Sequence, residues 1–505
     1  MRDRGSLVAA LWTLVAVGLV GAARVMWWYW PGSFFDGVTS HVWAALAWDA
    51  AHGVFYRPLL GPDGYGGTRY MPLLFLLHAL LIRWHVDLVA SGIALMQGSV
   101  VAAAAALCAA LRVADVPRRL AWPLAGTLWA TVLFQRYCTD LRADYLAAAL
   151  ALVGAALAQG AVSEPRSWRL VGAAGACALA ALTKMTAVLF VVPIVVSLVA
   201  ARRRDLAARF AAGTVALVVV AAGAAERASA GRFLENIAAT ISGGMVVSDL
   251  RHTIPKFAQE LVADPFVSVP FAIAVACWYR AARDRRLGFA HIYFAGVALV
   301  TIAVFTSPGI VANQLVDLEL SSTLVVGVAL ANGDFSRRVA AWIYAGLAVL
   351  LAAISIPLPR IPSVIGTLQA QGPRQRAVVQ AVHDGFLPPG ARYLSTDPGV
   401  AILAGQRPVV LDAFSLDRFV RDGTPAGRDV ERRIRAREFD VVVLRDTSAF
   451  VHDMNAGDRD PASDAATVRY WAEQPGPLAQ LIRTTYEIRA VRRPFVILAA
   501  KQTGP

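Results

Sequence analysis

The chain has 505 residues, of which 57% are apolar and only 16% charged, and its mean hydropathy of +0.54 is more than a water-soluble core of this length needs. Lipid must take up the excess. The net charge of +13 does not point to nucleic acid, because the Arg residues stand in short clusters between apolar runs, where they report topology. Cys108, Cys138, Cys177 and Cys277 lack metal-ligand spacing and imply neither a disulfide framework nor a zinc site.

Taken in chain order, Leu7 to Met26 reads as a first span. No small-residue cleavage site precedes Trp27–Trp30, so this is an aromatic belt and not the end of a signal peptide. A span needs about 20 apolar residues, and runs of that kind recur near 88–111, 119–135, 145–161, 169–183, 185–201, 207–225, 265–280, 288–305, 315–331 and 339–357. With the first, that makes about eleven. Started inside, this layout puts Arg2 and Arg4, Arg112, Arg118 and Arg119, Arg166 and Arg169, Arg202–Arg204 and Arg209, Arg280 to Arg286, and Arg337 and Arg338 on one side. The other side keeps only Arg136, Arg142 and Lys184 in its short loops.

Two segments decide the layout. Met71 to Trp84 is too short to span and carries His78 and Arg83, so it is read as a surface or re-entrant helix outside. Residues 169–201 are too long for one span and break at Thr183-Lys184, so they are read as two. The predicted fold class is a polytopic all-α membrane protein with a C-terminal soluble α/β domain. A transmembrane domain 1–358 carries large external loops 28–87 and 226–264, and an extracytoplasmic domain spans 359–505. There, strand-like runs at 392–395, 409–411, 440–444 and 495–499 flank a charged helical stretch at 429–438. The implied location is a bacterial inner (cytoplasmic) membrane, with the N-terminus inside and the C-terminal domain outside.

Ionisable groups beside span ends are candidates for function, because burying them unpaired is costly. They collect on the outer side: Asp36 and His41 after the first span, then Tyr56, and Tyr65, Arg69 and Tyr70 in the first loop. Arg136, Asp140, Arg142 and Asp144 follow the third span, Lys184 stands between two short helices, and Asn313 precedes Asp317 and Glu319. Each also has a plainer reading. Asp36-Gly37 is a turn signal, Asp144 can cap a helix, Arg142 can snorkel, and His41 has no second ligand at metal spacing. Lys184 is the hardest to explain that way, having few ordinary partners between two apolar helices.

An acidic residue after the first span (Asp36), a helix ending in His52-Gly53-x-x-Tyr56, Tyr70-x-Pro72, Arg142-x-Asp144 and Thr183-Lys184-x-Thr186, in this order and on one side, resemble the membrane glycosyltransferases of the GT-C fold. The nearest such families are the protein O-mannosyltransferases, the aminoarabinose transferases and the bacterial family-39-like proteins. The resemblance covers roughly residues 1–330. It implies an inverting transfer of a sugar from a polyprenyl-phosphate donor to a glycan, lipid or protein acceptor at the outer face, among membrane lipids and without nucleic acid. By position Asp36 would be the general base, with Asp144 a second catalytic carboxylate. Arg69, Arg142 and Lys184 would hold the departing phosphate, while Tyr56, Tyr65 and Tyr70, with His41, Arg136, Asp140 and Asn313, would help bind substrate. Relatives often carry a second acidic residue or Asn beside the base. Here the neighbours are Phe35 and Gly37, so no cofactor is specified and a divalent cation stays open.

Two rivals make distinct demands. A transporter or flippase needs ionisable residues at the bilayer midplane and two similar halves, and neither is present in the sequence. A non-catalytic assembly protein would keep the fold and dock a partner through its tail. Topology reporters at Gly37 and Ala143 are expected to read extracytoplasmic; a cytosolic signal at either position would break the common side on which the reading depends.

Overall fold

The computed structural model describes residues 2–29, 38–164, 166–241, 250–306, 312–355, 380, 382–387, 390–403, 405–445, 477–492 and 495–501. Among the described residues, the helices ahead of the α/β part begin with α1 (Arg2–Tyr29), followed by α2 (Val38–Ala51) and α3 (Pro72–Arg83), and then α4 (Leu88–Val113). Next come α5 (Arg118–Gly126), α6 (Val132–Tyr137), α7 (Asp144–Ser163), α8 (Ser167–Thr183), α9 (Val191–Ala200) and α10 (Arg204–Ala228). After α11 (Arg232–Ile241) and α12 (Leu250–Ala263), the bundle closes with α13 (Pro265–Arg283), α14 (Phe289–Val304), α15 (Val316–Asn332) and α16 (Arg337–Ser355). Seven of the described helices are long and apolar enough to cross a membrane, and Ser167–Thr183, Met185–Ala200 and Phe289–Val304 are shorter apolar helices beside them.

Burial sorts these helices. In the span Ala312–Asn332, which contains α15, 83% of the apolar window is enclosed by protein, against 22% for α10, so α15 forms the centre of the bundle and α10 its lipid-facing edge. Helix α15 packs on α13 and α14, α7 lies between α4 and α8, and α1 pairs with α16. Small residues let α7 and α8 approach closely: a Cβ on Gly154 would collide with Cys177 and crowd the Ala173 carbonyl.

Residues 119–135 are not one continuous span. Pro123 lies inside α5, a 3₁₀ turn covers Thr127–Ala130, and α6 starts afresh after Thr131, whose hydroxyl accepts from Phe134 N at 3.1 Å. A broken helix inside a membrane protein must have its freed backbone groups satisfied by side chains. Gln135 Nε2 does this by donating to the Trp129 carbonyl (2.6 Å), while also tying the segment to the Gly18 carbonyl of α1 (2.8 Å), and Asp264 Oδ2 accepts from Leu133 N at 2.7 Å. Helix α3 has the length read for a surface helix. Its Arg83 donates to the Ala50 carbonyl at the end of α2 (2.9 Å), while Leu76, Leu80 and Trp84 stay exposed.

The C-terminal part holds a four-stranded sheet, β1 (Tyr393–Ser395), β2 (Val441–Arg445), β3 (Tyr486–Arg492) and β4 (Phe495–Ala500), in the order β1-β2-β4-β3. Strand β1 runs parallel to β2, and β4 runs antiparallel to both β2 and β3. Side chains alternate across a strand. Val441, Val443, Phe495 and Ile497 therefore pack on one face, with Val400 and Ala401 of α17 (Pro398–Leu403). Val442, Leu444, Val496 and Leu498 pack on the other, against α18 (Ala413–Arg421), α19 (Pro425–Arg435) and α20 (Pro477–Thr485). Both faces are covered, which is why the run from Val441 to Leu444 is apolar without alternation. Two readings change. Residues 409–411 form no ladder strand, Val410 making only a single bridge to Tyr65, and β3 forms although its pattern is mostly polar and exposed, as suits an edge.

That bridge docks the tail on the first loop: Tyr65 N donates to the Val409 carbonyl at 2.7 Å, and Leu411 N donates to the Tyr65 carbonyl at 3.2 Å. Gly64 sits at φ +117 with no room for a Cβ beside the Val409 carbonyl. Gly64→Ala should thus cost about 1–3 kcal/mol of local strain, read as faster amide exchange across 407–412 while the spans stay protected; unchanged exchange would contradict this docking.

Candidate functional site

One end of the bundle gathers most of the charged residues that the sequence singles out. Lys184 follows the last residue of α8 in an extended conformation, because a helix that stops at Thr183 leaves the next side chain free to turn inward. Its Nζ donates to Asp144 Oδ1 at 2.6 Å and to Gln314 Oε1 at 2.7 Å, and Asn313 Nδ2 donates to the same Asp144 oxygen at 2.9 Å. The end of α8 and the turn before α15 thus converge on one carboxylate at the first residue of α7. Asp144 is 5% exposed, a depth at which an unpaired carboxylate is very costly.

Arg142 stands next to this group. It pairs with Asp140 Oδ2 at 3.0 Å, and its guanidinium lies 4.0 Å from the centroid of the Tyr137 ring, a cation–π contact. Burial works against its charge, but Asp140, Tyr137 and Asp144 more than offset this and hold Arg142 above the ordinary arginine range. Arg136 lies 5.5 Å from the same Tyr137 ring. Tyr70 extends the cluster: burial pushes its phenol up, with Asp412, Arg69, Thr39 and Arg142 acting on it. Its ring is 4.5 Å from that of Trp43, and Arg69 lies 5.1 Å from the Phe414 ring. Arg142, Asp144 and Lys184 therefore form a charged rim, and Tyr70, acted on by both Arg142 and Arg69, relates to it the turn that carries Arg69.

Other candidates sit elsewhere. Asp36 falls outside the described residues, two positions ahead of α2. Tyr56 is a core residue, donating to the Tyr70 carbonyl at 2.8 Å with its ring edge-on to Phe75 and Phe233. Tyr65 donates to Asp429 Oδ2 at 2.7 Å and so lies in the seam with the tail. His41 lies in that seam too, its Nδ1 being 2.8 Å from Asp397 Oδ1, while Arg445 Nη1 donates to Asp397 Oδ2 at 2.8 Å. Among the described residues, no group of three or more His, Cys, Asp or Glu side chains is placed to hold a metal ion. Sequence reasoning passed over Gln314, which no motif marks. It also passed over Asp49, a heavily paired carboxylate of the first loop, which takes both Arg57 Nε (2.5 Å) and Arg57 Nη2 (2.8 Å) and has Arg407 Nε at 3.3 Å. An Asp eight residues before an Arg signals no pairing until Gly53 and Tyr56 turn the chain back at positive φ.

No protein-family model matches this sequence, and no curated protein matches it. Solved structures do. ArnT from Cupriavidus metallidurans matches over nearly the whole chain. Bound to undecaprenyl phosphate, it gives a TM-score of 0.56 at 14% identity, covering 97% of this chain and 98% of that one. In its apo state the TM-score is 0.59 at 12% identity, covering 99% and 98%. The Archaeoglobus fulgidus oligosaccharyltransferase in complex with zinc and sulfate gives 0.56 at 14% identity, covering 94% of this chain and 71% of that one. The fold is that of the GT-C membrane glycosyltransferases, a polytopic helical bundle followed by a soluble C-terminal domain.

The His41–Asp397 contact sets a pH dependence. Burial pulls His41 below its ordinary value of 6.5 against the raising effect of Asp397. Burial alone would raise the Asp397 carboxyl, but His41 and Arg445 together hold it at about 2. Both folded values are depressed, so the unfolded chain binds more protons and stability falls as the pH falls. The loss starts below about 6.5 with His41, and Asp397 adds to it from about 3.8 down to about 2. Thermal melting of the purified protein should therefore drop as the pH falls below about 6.5, and His41→Gln should flatten that slope; an equally steep slope in the variant would show that another group is responsible.

Proposed function

We propose that the chain is an inverting glycosyltransferase that moves a sugar from a polyprenyl-phosphate donor to a glycan, lipid or protein acceptor at the outer face of a bacterial inner membrane. The observation that carries the reading is Lys184: a primary ammonium enclosed at the end of the bundle, ligated by Asp144 and Gln314, with Arg142 alongside. As the bond from sugar to phosphate breaks, negative charge accumulates on the leaving phosphate. Preorganised cations in a dry site stabilise that charge without reorganising. Lys184, Arg142 and Arg69 are assigned this role, and Asn313 holds the Asp144 carboxylate that orients Lys184. Asp144 acts through Lys184 and need not touch the sugar.

Asp36 is assigned as the base that takes the acceptor proton, from its place in the sequence just ahead of α2. Tyr70 and Arg136 are assigned to substrate binding beside Arg142, and Asp140 keeps Arg142 oriented. The solved structures support the reading in kind. One ArnT structure holds undecaprenyl phosphate, and one form of the archaeal oligosaccharyltransferase is tethered to an acceptor peptide. The α/β tail beside the first loop is assigned to the acceptor side. A divalent cation, where one binds, would add charge stabilisation at the same phosphate.

The test uses purified protein in lipid nanodiscs with undecaprenyl phosphate as probe. Lys184→Ala should weaken binding of the lipid at least tenfold, the scale of one lost charge-assisted contact at about 1.4–3 kcal/mol. Asp36→Asn should leave that binding intact and abolish transfer of sugar from a polyprenyl-phosphate sugar, losing about 100-fold or more in rate. Wild-type lipid binding in Lys184→Ala, or wild-type transfer in Asp36→Asn, would end the respective assignment.

A further inference from the structure

We propose that Asn236, on the external helix α11, is a positioning residue: it fixes the turn Gly66–Tyr70 that carries Arg69 and Tyr70. The proposal rests on the reading of that rim as a phosphate site.

Asn236 is fully buried, and every hydrogen-bonding position of its amide has a use. Oδ1 accepts from Gly67 N at 2.8 Å and Thr68 N at 3.1 Å, and Nδ2 donates to the Arg57 carbonyl and the Arg232 carbonyl, each at 2.8 Å. A single side chain thus closes the loop from Arg57 to Thr68 upon itself. It does so from a different part of the chain, the loop 226–264.

The turn is confined from two further directions. A Cβ on Gly66 would strike the Pro58 carbonyl, and one on Gly67, which sits at φ +92, would lie 2.5 Å from the Phe419 ring of the tail. Thr68 then orders the next two residues, its Oγ1 accepting from Tyr70 N at 3.2 Å. Helix α11 is itself anchored, because Arg418 of α18 donates to the carbonyls of Ala239 and Thr240 at 2.9 Å each. The path from the tail to α11, to Asn236 and to the turn that carries Arg69 is therefore continuous in hydrogen bonds. Each link is made by groups that would be costly to leave unpaired in a buried place.

A long, flexible cation binds phosphate better when its backbone is already in place, since less freedom is lost on binding. The turn supplies that preorganisation for Arg69, whereas Lys184 and Arg142 are placed independently, by α7, α8 and the 312–315 turn. Releasing the turn should weaken phosphate binding without disturbing Lys184.

The experiment compares wild type, Asn236→Ala, Asn236→Asp and Lys184→Ala as full chains in nanodiscs. It reads the Kd for undecaprenyl phosphate, amide exchange of the peptides covering 64–71, and the melting temperature. Asn236→Ala should speed exchange at Gly67 and Thr68 and weaken lipid binding about five- to fiftyfold, with melting of the spans near wild type. Asn236→Asp keeps the oxygen that both amides use but sets an acceptor against the Arg57 and Arg232 carbonyls, so its affinity should recover only as far as its exchange at Gly67 and Thr68 slows towards wild type. Faster exchange with wild-type affinity in Asn236→Ala would overturn the proposal, as would slow exchange with the weak affinity of Asn236→Ala in the Asp variant, which also serves if the Ala variant does not fold. If Lys184→Ala likewise binds the lipid as wild type does, the phosphate reading itself fails; loss of binding in Lys184→Ala alone confines the failure to Asn236.

Discussion

A charged group enclosed by a membrane protein must be paired, and one end of this bundle is organised by that requirement. Asp144 and Lys184 meet only because α8 ends at Thr183 and α7 begins at Asp144. Two helix ends at the same depth put a carboxylate and an ammonium within 2.6 Å of each other. Asn313 and Gln314 complete their coordination from the short turn before α15, the most enclosed of the described spans. Had either helix continued another turn, one charge would have been left without its partner in a poorly solvated place, at a cost of several kcal/mol.

The same rule accounts for the breaks in the bundle. The segment 118–137 departs from a regular helix at Pro123 and at the 3₁₀ turn after it, and Gln135 and Asp264 answer the backbone groups that this frees. Asp264 therefore has a structural task at the start of α13, where it also accepts from Phe266 N. It is distinct from Asp144, which is held by the side chains of Lys184 and Asn313. Two carboxylates at similar depth thus serve different ends, and the nature of their partners tells them apart.

Much of this was legible in the sequence, and the reasons differ from element to element. Spans such as 88–111 and 145–161 announce themselves through length and hydropathy, which are properties of one segment alone. Lys184 stood out because an isolated cation between apolar helices has few ordinary explanations. What stayed hidden depends on contacts between distant segments. Nothing near Asn236 announces that it will bond Gly67, and Asp49 looks like any polar residue of an amphipathic helix until Arg57 and Arg407 close on it. Tyr65 and His41 were legible as important but not as seam residues, because their partners Asp429 and Asp397 lie more than 350 positions away. The break at 118–137 was hidden by its composition, since its residues are as apolar as those of a continuous span.

Those long-range contacts also bear on what the α/β part does for the bundle. Its sheet is covered on both faces mainly by its own helices, but Tyr65 and Leu59 of the first loop and Ala239 of α11 share one of its cores. It also commits several of its best polar groups to the first loop and α11: Asp397 to His41, Arg407 and the Pro408 carbonyl to the Asp49–Arg57 pair, Asp429 to Tyr65, and Arg418 to the end of α11. Exposed ion pairs contribute little, but most of these are enclosed, and they bind segments that are short and otherwise poorly cored. The first loop has a small apolar cluster around Trp43, Tyr56 and Phe75, and a polar turn beyond it that has no helix of its own. The tail and α11 supply for that turn the rigidity that the bundle supplies for Lys184, so the two halves of the charged rim are held by different parts of the chain.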